Sequence, residues 1–462
     1  MIRFCFFLLL SLFIVSGMPN NCINAQEAAK KDGNQTLTND DSNAVIDLKL
    51  QSSEEKKNNI VPIQDLKGGV QKIEDEPEKQ SALKSWVSGD HATGDWNGLR
   101  GKLEEHGVTL EVNYTNDSFL KMRGGLNNKT RLRPISLVDY GVTFDTEKLK
   151  LFPGGKIFIL GQNIHGQGLT TNQVGDIQTL SSIDAPPLTQ LGEYWYEQIL
   201  LNNKIRVKLG KQDANSDFDA LESSADFVGS SFTLIPTIPM PTYPCQGLGG
   251  AAFIEPVSWF NLKAGFFDGA ADNRGLGMKS FFDGNDGYVT LVEAGIKPVI
   301  KKHPGNYILG YWHHSGDFDE ITNSPNVRTF NSNNGLYATF EQMLYKENKN
   351  EEDNQGLNIQ GQFGWSPSDR SEIARYYGVG LSYKGLIPKR TEDVTGFGLA
   401  LANLSSRTKR IDSKKDETVL EFFHKIQLTP FFALQPDIQF IFNPGGNNKD
   451  SFVIGIRSVL NF

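Results

Sequence analysis

The 462-residue sequence predicts an all-β transmembrane antiparallel barrel of about 16 strands, or about 18 at most. Segments of roughly ten residues alternate apolar and polar side chains, which indicates strands with two different faces. Aromatic residues recur near the ends of these segments, and tight connections alternate with long ones. These observations favour a membrane barrel, because its wall needs aromatic belts at both interfaces and short turns on one rim.

The C-terminal stretch SFVIGIRSVLNF shows this pattern clearly. Phe452, Ile454 and Ile456 share one parity. Gly455 and Arg457 share the other. A period of two indicates a strand with one apolar and one mixed face. We expect this last strand to pair with the first one, because a closed barrel leaves no exposed edge.

Interior segments repeat the alternation. In NKIRVKLGK, Ile205, Val207 and Leu209 lie on one face. Arg206 and Lys208 lie on the other. A soluble β-sandwich, such as a secreted lectin, has the same period, so the alternation alone leaves that alternative open.

Aromatic residues at the segment ends argue for the membrane. We expect them in the two interfacial belts of the barrel. The residues concerned are Trp259, Trp312, Trp365, Phe431 and Phe462.

Composition excludes other classes of protein. Hydrophobic residues make up 38% of the chain and the mean hydropathy is -0.37, which is too polar for a bundle of membrane helices of about 20 apolar residues each. The net charge of -8 argues against a nucleic-acid partner.

The N-terminus reads as a secretory signal peptide over residues 1–25. Arg3 precedes a long apolar run, and a small residue, Ala25, follows a polar stretch. Cleavage there removes Cys5 and Cys22 and leaves Cys245 as a lone cysteine. We therefore expect no internal disulfide and no cysteine metal cluster.

Residues 26–82 are rich in Lys, Glu, Asp, Asn and Gln, as in QSSEEKKNNI. This composition buries too little apolar area to offset chain entropy, so a disordered, charged periplasmic extension is predicted. Peptidoglycan or another periplasmic component is its expected contact. The barrel is predicted to occupy residues 83–462.

Five stretches, in order, resemble the carbohydrate-selective porin family of the bacterial outer membrane, the OprB-type porins. They are GDWNGLRGKLEEHGVTLEVNYTND, KLGKQDANSDF, WHHSGDFDEI, GQFGWSPSDRSEIARYYGVGLSYKGLIPKR and LTPFFALQPDIQFIFNPGGN. The resemblance implies a single, monomeric barrel in which inward loops narrow the pore, and passive diffusion of small neutral sugars such as glucose. The long charged extension and the WHH triplet depart from the family pattern.

The segment GEYWYEQILLNNKIRVKLGKQD carries the predicted sugar path. If Tyr194 and Tyr196 face lipid, three residues of the same strand face the lumen: Glu193, Trp195 and Glu197. Arg206 and Lys208 face inward by the same logic. An indole between carboxylates and cations suits a sugar, because its C–H face stacks on the ring and its hydroxyls bond to charged groups. Cross-strand pairing of these charges is the alternative.

KQDANSDF and the apolar LIPTIPMPTYP of residues 234–244 are predicted to fold into the barrel. Asp213 joins the predicted lumen and constriction site. Capping of turns by Asp213 and Asp217 is favoured over calcium binding, because the segment lacks an ordered ligand spacing. Neither a metal nor a cofactor is predicted.

An enzyme is disfavoured. As a glycosidase pair, Glu193 and Glu197 have Cα atoms about 13 Å apart on an extended strand, beyond the separation of roughly 5 to 9.5 Å between catalytic carboxyls. The sequence therefore predicts a sugar porin in contact with outer-membrane lipid. A general diffusion porin and an adhesin or enzyme barrel stay open as alternatives.

Overall fold

The computed structural model describes residues 84–270, 276–283, 286–322, 324–348, 350, 353–407 and 416–462. The predicted signal peptide and the charged extension of residues 26–82 lie outside these residues. Among the described residues, no helix is both long and apolar enough to cross a membrane.

Sixteen long strands form the wall in the described part of the chain. They are β1 Val108–Gly125, β2 Arg131–Asp145, β3 Gly155–Gly166, β4 Leu188–Leu200, β5 Ile205–Gln212, β6 Gly247–Val257, β7 Phe260–Asp268, β8 Tyr288–Ile296, β9 His303–His314, β10 Asn333–Lys346, β11 Gly356–Trp365, β12 Ile373–Lys384, β13 Val394–Leu404, β14 Asp416–Thr429, β15 Phe432–Phe442 and β16 Lys449–Asn461.

Shorter elements complete the fold. The α-helices are α1 Leu99–Glu105 and α2 Met278–Asp283, and a π-helical turn covers Thr170–Val174. The 3-10 turns are Ala214–Ser216, Glu222–Ser224, Ser230–Phe232 and Pro444–Gly446. Two-residue strands are Val299–Ile300, Phe318–Asp319 and Thr329–Phe330.

Each wall strand pairs antiparallel with its neighbours in the chain, and the two ends of the sheet join. β1 pairs with β16 from Asn113 opposite Asn461 to Gly125 opposite Lys449. The predicted closure of the terminal strand on the first strand is therefore confirmed. The last residue takes part as well, since the Phe462 amide donates to the Val112 carbonyl at 2.8 Å.

The wall is apolar outside and polar inside. On β14, Phe422 is 48% exposed on the outer face, whereas Glu417 and Glu421 on the inner face are fully buried. The same alternation holds on β9, where Leu309 points outward. Because lipid satisfies no polar group, this inside-out arrangement is the one that a membrane wall requires.

Two predicted belt residues are wrong. Phe431 is 4% exposed, because it packs against Trp86. Trp312 is 1% exposed and shares the inward parity of His314, while Leu309 and Tyr311 take the outward positions of β9. Its indole packs over Gly335 on β10, where any larger residue would collide with the ring. Trp312 therefore belongs to the interior, in contrast to the exposed Trp259 in the β6–β7 turn.

The two rims differ. The rim that carries α1 has tight turns at 201–204, 258–259 and 430–431, whereas the opposite rim carries the long connections 167–187 and 213–246. Short turns are typical of the periplasmic rim and long loops of the extracellular rim. The predicted alternation of connections is thus present.

Both long connections fold into the barrel, as predicted for inward constriction loops. We call residues 213–246 the inner loop. Its apolar side chains pack against inward residues of the wall and form the main hydrophobic cluster inside the barrel; they include Phe218, Phe227, Phe232, Ile235 and Ile238.

Carboxylates of the wall hold these loops by their backbone. Glu421 accepts hydrogen bonds from the amides of Val228 at 2.7 Å and Gly229 at 2.9 Å. Glu417 accepts from the amides of Ile177 at 2.9 Å and Gln178 at 2.8 Å in the 167–187 connection. Hydrogen bonds between buried groups are costly to break, so these contacts hold the loops against the wall.

Candidate functional site

The β4–β5 hairpin places five predicted site residues on the inner face. Glu197 lies directly opposite Lys208, and Tyr196 lies opposite Leu209. Leu209 is exposed on the outer face, whereas Glu197 and Lys208 are buried inside. Glu193 and Trp195 share the parity of Glu197, and Arg206 shares that of Lys208. The register on which the site prediction depends is the one in the structure.

The inner loop is anchored to this hairpin through Asp217. Its carboxylate pairs with Arg206 at 2.7 Å and with Lys208 at 3.0 Å. Arg206 also pairs with Glu197 at 2.8 Å. A third wall cation, Lys263 on β7, donates to the Asp217 carbonyl at 2.6 Å. Three cations from two strands therefore converge on one residue of the loop.

Electrostatics keep Asp217 ionised. Burial alone would raise its pKa, but Lys208 and Arg206 outweigh that effect and lower the pKa below its ordinary value. Lys208 is nearly fully buried, whereas the side chain of Arg206 is 32% exposed. Lys208 thus acts mainly on the loop, while Arg206 also meets the water of the lumen.

Trp195 lies between two neighbours. Its Nε1 donates to Glu193 Oε2 at 3.1 Å. The Lys208 Nζ lies over the indole, 4.5 Å from the ring centroid, and the Phe158 ring on β3 lies 5.0 Å away between centroids. The cation covers part of the indole surface that the sequence analysis assigned to sugar stacking, so Phe158 and Trp195 form one aromatic pair at this position.

Asp213 sits where the inner loop leaves β5. Its carboxylate accepts from the amides of Asn215 at 2.9 Å and Tyr243 at 3.2 Å. Its own amide donates to Glu193 at 3.2 Å. Burial raises the pKa of Asp213, and these hydrogen bonds act in the opposite direction. Asp213 therefore links the start of the inner loop to its end and to β4. This agrees with the turn-capping role that the sequence favoured.

A cavity of about 240 Å³ adjoins the hairpin near the periplasmic rim. Arg206, Phe253, Asn261 and Lys263 line it. The Arg206 guanidinium lies 3.6 Å from the Phe253 ring centroid. The partly exposed guanidinium of Arg206 supplies N–H donors, which make this cavity suited to a hydroxyl-bearing solute.

Several residues of the site were missed by the sequence analysis. Lys263 forms an ion pair with Glu293 at 2.8 Å. Both residues alternate with apolar ones in WFNLKAGFF and YVTLVEAGIK, so the period of two in these segments already indicated that they face the lumen. Phe253 and Phe158 face inward against the rule that aromatics face lipid. Phe253 packs in the hydrophobic cluster with Phe218 of the inner loop, and Phe158 packs against Trp195 and beside Gly141 of the wall.

The expectation for Cys245 is wrong. Cys245 is disulfide-bonded, whereas cleavage near Ala25 was expected to leave it without a partner. The chain's other cysteines, Cys5 and Cys22, lie outside the described residues. The expectation rested on the position of the cleavage site, which the apolar run alone does not fix.

These features define the class of protein. A closed barrel with an apolar exterior, a polar interior and loops folded into its lumen is the architecture of an outer-membrane diffusion channel. In the described ranges, no group of three or more His, Cys, Asp or Glu side chains is arranged to hold a metal ion.

The chain belongs to the carbohydrate-selective porin family, OprB family, whose model matches residues 129–462. It is therefore a porin of the bacterial outer membrane. Porin B of Pseudomonas aeruginosa is 22% identical over 417 residues, which cover 79% of this chain and 89% of that protein. The putative porin QuiX of Acinetobacter baylyi is 22% identical over 415 residues, which cover 80% of this chain and 92% of that protein.

A solved structure shares the fold. The high-pH structure of Pseudomonas putida OprB matches with a TM-score of 0.73 at 20% identity, and the match covers 81% of this chain and 99% of that one. At this identity the likeness concerns the fold. The predicted family and fold class are both confirmed.

Proposed function

We propose that this porin passes small neutral sugars, such as glucose, by passive diffusion and without catalysis. The observation that carries the proposal is the mixed charge around Arg206. Its guanidinium bridges Glu197 and Asp217 at the edge of the 240 Å³ cavity. A ring of one sign would select ions, whereas alternating signs offer donors and acceptors to uncharged hydroxyls.

The six predicted site residues divide between two tasks in this proposal. Arg206 and Trp195 contact the sugar, since both keep part of their surface exposed to the lumen. The buried residues position them: Glu197 pairs with Arg206, and Lys208, Glu193 and Asp213 are bonded to the inner loop or to the indole. Sugar binding exchanges hydrogen bonds with water for bonds with protein, so release stays fast.

The proposal extends to assembly. We propose a barrel that acts as a monomer, with the extension of residues 26–82 reaching peptidoglycan or another periplasmic partner. The support is the composition of that extension, which is charged and nearly free of aromatic residues.

The test is sugar block of ion current in planar bilayers, paired with liposome swelling by sugars of graded size. We expect millimolar glucose to reduce the current of the wild type, and Arg206→Gln to weaken that block about tenfold, as for one charge-assisted hydrogen bond. Arg133→Gln, near the extracellular rim, is the matched control, and glucose should block its current as strongly as that of the wild type. A current that ignores glucose while salt conducts freely would show a general diffusion pore instead.

A further inference from the structure

The outer face of β11, β12 and β13 carries a polar row next to the extracellular rim. Trp365 lies opposite Arg375, and Arg375 lies opposite Asn403, so the three residues are adjacent across three strands. Arg375 is exposed and shares the outward parity of Tyr377. A cation is thus placed on the face of the wall that contacts lipid.

This row lies where the apolar band ends. The rows nearer the periplasmic rim are apolar and exposed: Phe363, Tyr377, Val379, Leu381, Phe397 and Leu399. On the extracellular side of the row, the strands β11 and β12 end and the 366–372 connection begins. A tryptophan at such a boundary is typical of the interfacial belt. The side chain of Arg375 therefore lies at the depth of lipid head groups in the outer leaflet.

Arg375 is the uncompensated cation of this surface. Within the described residues its side chain has no hydrogen bond or ion pair. Neighbouring arginines are neutralised, since Arg407 pairs with Glu320 at 2.6 Å and Arg370 pairs with Asp369 at 2.9 Å. The guanidinium of Arg375 is thus available to an anion, whereas those of Arg370 and Arg407 are occupied.

A groove of about 560 Å³ opens beside this row. Its lining combines Trp365, Arg375 and Asn403 with Ser368 and Asp369 from the 366–372 connection. The Asp369 carboxylate is held by two hydrogen bonds from Arg370, which lowers its pKa. Its charge is thus directed to Arg370, and Arg375, Asn403 and Ser368 are left as donors to an anion.

We propose that this groove binds the phosphorylated head group of a glycolipid in the outer leaflet. Arginine binds phosphate through two parallel hydrogen bonds, and a guanidinium sheds water more readily than an ammonium. The groove continues into the apolar rows of Phe363 and Tyr377, along which acyl chains would lie. That continuity favours a lipid over free phosphate as the occupant.

The test titrates the purified full-length porin in nonionic detergent with lipid A, with the same lipid stripped of its phosphates, and with inorganic phosphate. Native mass spectrometry counts the retained lipid. We expect one lipid A per barrel and about tenfold weaker binding by Arg375→Gln, as for a lost charge-assisted contact. The dephosphorylated lipid should bind the wild type as weakly as lipid A binds Arg375→Gln. Excess inorganic phosphate should not displace lipid A from the wild type.

The control is Lys301→Gln, which removes one exposed positive charge at the opposite rim and should bind as the wild type does. Arg375→Lys keeps the charge without the two parallel bonds and should bind with intermediate affinity, and heat-modifiable migration verifies that each variant folds. Unchanged affinity in Arg375→Gln, equal binding of dephosphorylated lipid, or displacement by inorganic phosphate alone would each overturn the proposal.

Discussion

Two sides of the lumen wall use carboxylates for different tasks. On the β4–β5 side, Glu197 pairs with Arg206 at the edge of a cavity. On β14, Glu417 and Glu421 are fully buried and hold backbone amides of the inward connections. Inward carboxylates of the wall therefore either orient a partly exposed cation, as Glu197 does, or hold a loop by its backbone amides, as Glu417 and Glu421 do.

The largest effect is expected at the loop-holding side. Glu421→Ala leaves the amides of Val228 and Gly229 buried without an acceptor, which should lower the free energy of unfolding by about 3 kcal/mol. Thermal unfolding of the folded band on gels measures it. Glu111→Ala is the control, because Glu111 is an exposed residue with the inward parity of Asp117 on β1. Equal loss in both variants would contradict the anchoring role of Glu421.

The second prediction concerns the anchor of the inner loop on the cavity side. Asp217→Asn leaves Lys208 buried beside a neutral amide, and Arg206 keeps only Glu197. The expected loss is about 2 kcal/mol, between the values for buried and exposed ion pairs, since Arg206 is partly solvated. Ion selectivity should shift towards anions in reversal-potential measurements.

Its control is Glu255→Gln. The pair of Glu255 with Lys297 spans 3.4 Å, and both side chains are about half exposed. Its loss should cost less than about 0.5 kcal/mol. If Asp217→Asn is equally mild and leaves selectivity unchanged, the inner loop is held by its apolar contacts alone.

The third prediction concerns the aromatic pair. Trp195→Ala should weaken glucose block about fivefold, the effect of one aromatic contact, while single-channel conductance changes less. Trp259→Ala removes an exposed indole outside the lumen and should leave block unchanged. A larger change in conductance than in block would assign Trp195 to wall packing.

The smallest effect is a difference in pH dependence between two acids of the inner loop. The pKa of Asp217 is lowered, so its stabilisation is present above the unfolded pKa of about 4 and is lost only as pH falls through a still lower value. Burial raises the pKa of Asp219 well above the ordinary value. The difference in free energy of unfolding between the wild type and Asp219→Asn should therefore shift in favour of the wild type as pH falls from 7 to 5. The difference between the wild type and Asp217→Asn should stay constant over the same range.

Thermal unfolding of both variants beside the wild type at each pH measures the two slopes. Parallel slopes would show that the two carboxyls share one environment.

The sequence predicted the strands and the facing of side chains well, for a local reason. A period of two assigns each residue of a strand to one face, and a single register error would have exchanged all of them. Glu193, Trp195, Glu197, Arg206 and Lys208 all lie on the predicted face.

The role of each inward residue could not be predicted in this way. Whether an inward side chain meets water depends on where the 167–187 and 213–246 connections fold, and their contacts join residues far apart in the chain. Trp312 illustrates the limit, since an interior tryptophan and an interfacial one have the same local sequence pattern. The contact between Asp217 and Lys263 could not be predicted for the same reason, because it joins the inner loop to a strand far away in the sequence.

The pairing of β16 with β1 has a consequence for biogenesis. The seam of the barrel joins the first strand of the wall to the last, so the ladder of hydrogen bonds stays incomplete until β16 has been made and exported. Contacts of such sequence separation make folding slow, and the unsealed sheet offers two edges to aggregation meanwhile. A chain that stops before Lys449 keeps both edges open permanently.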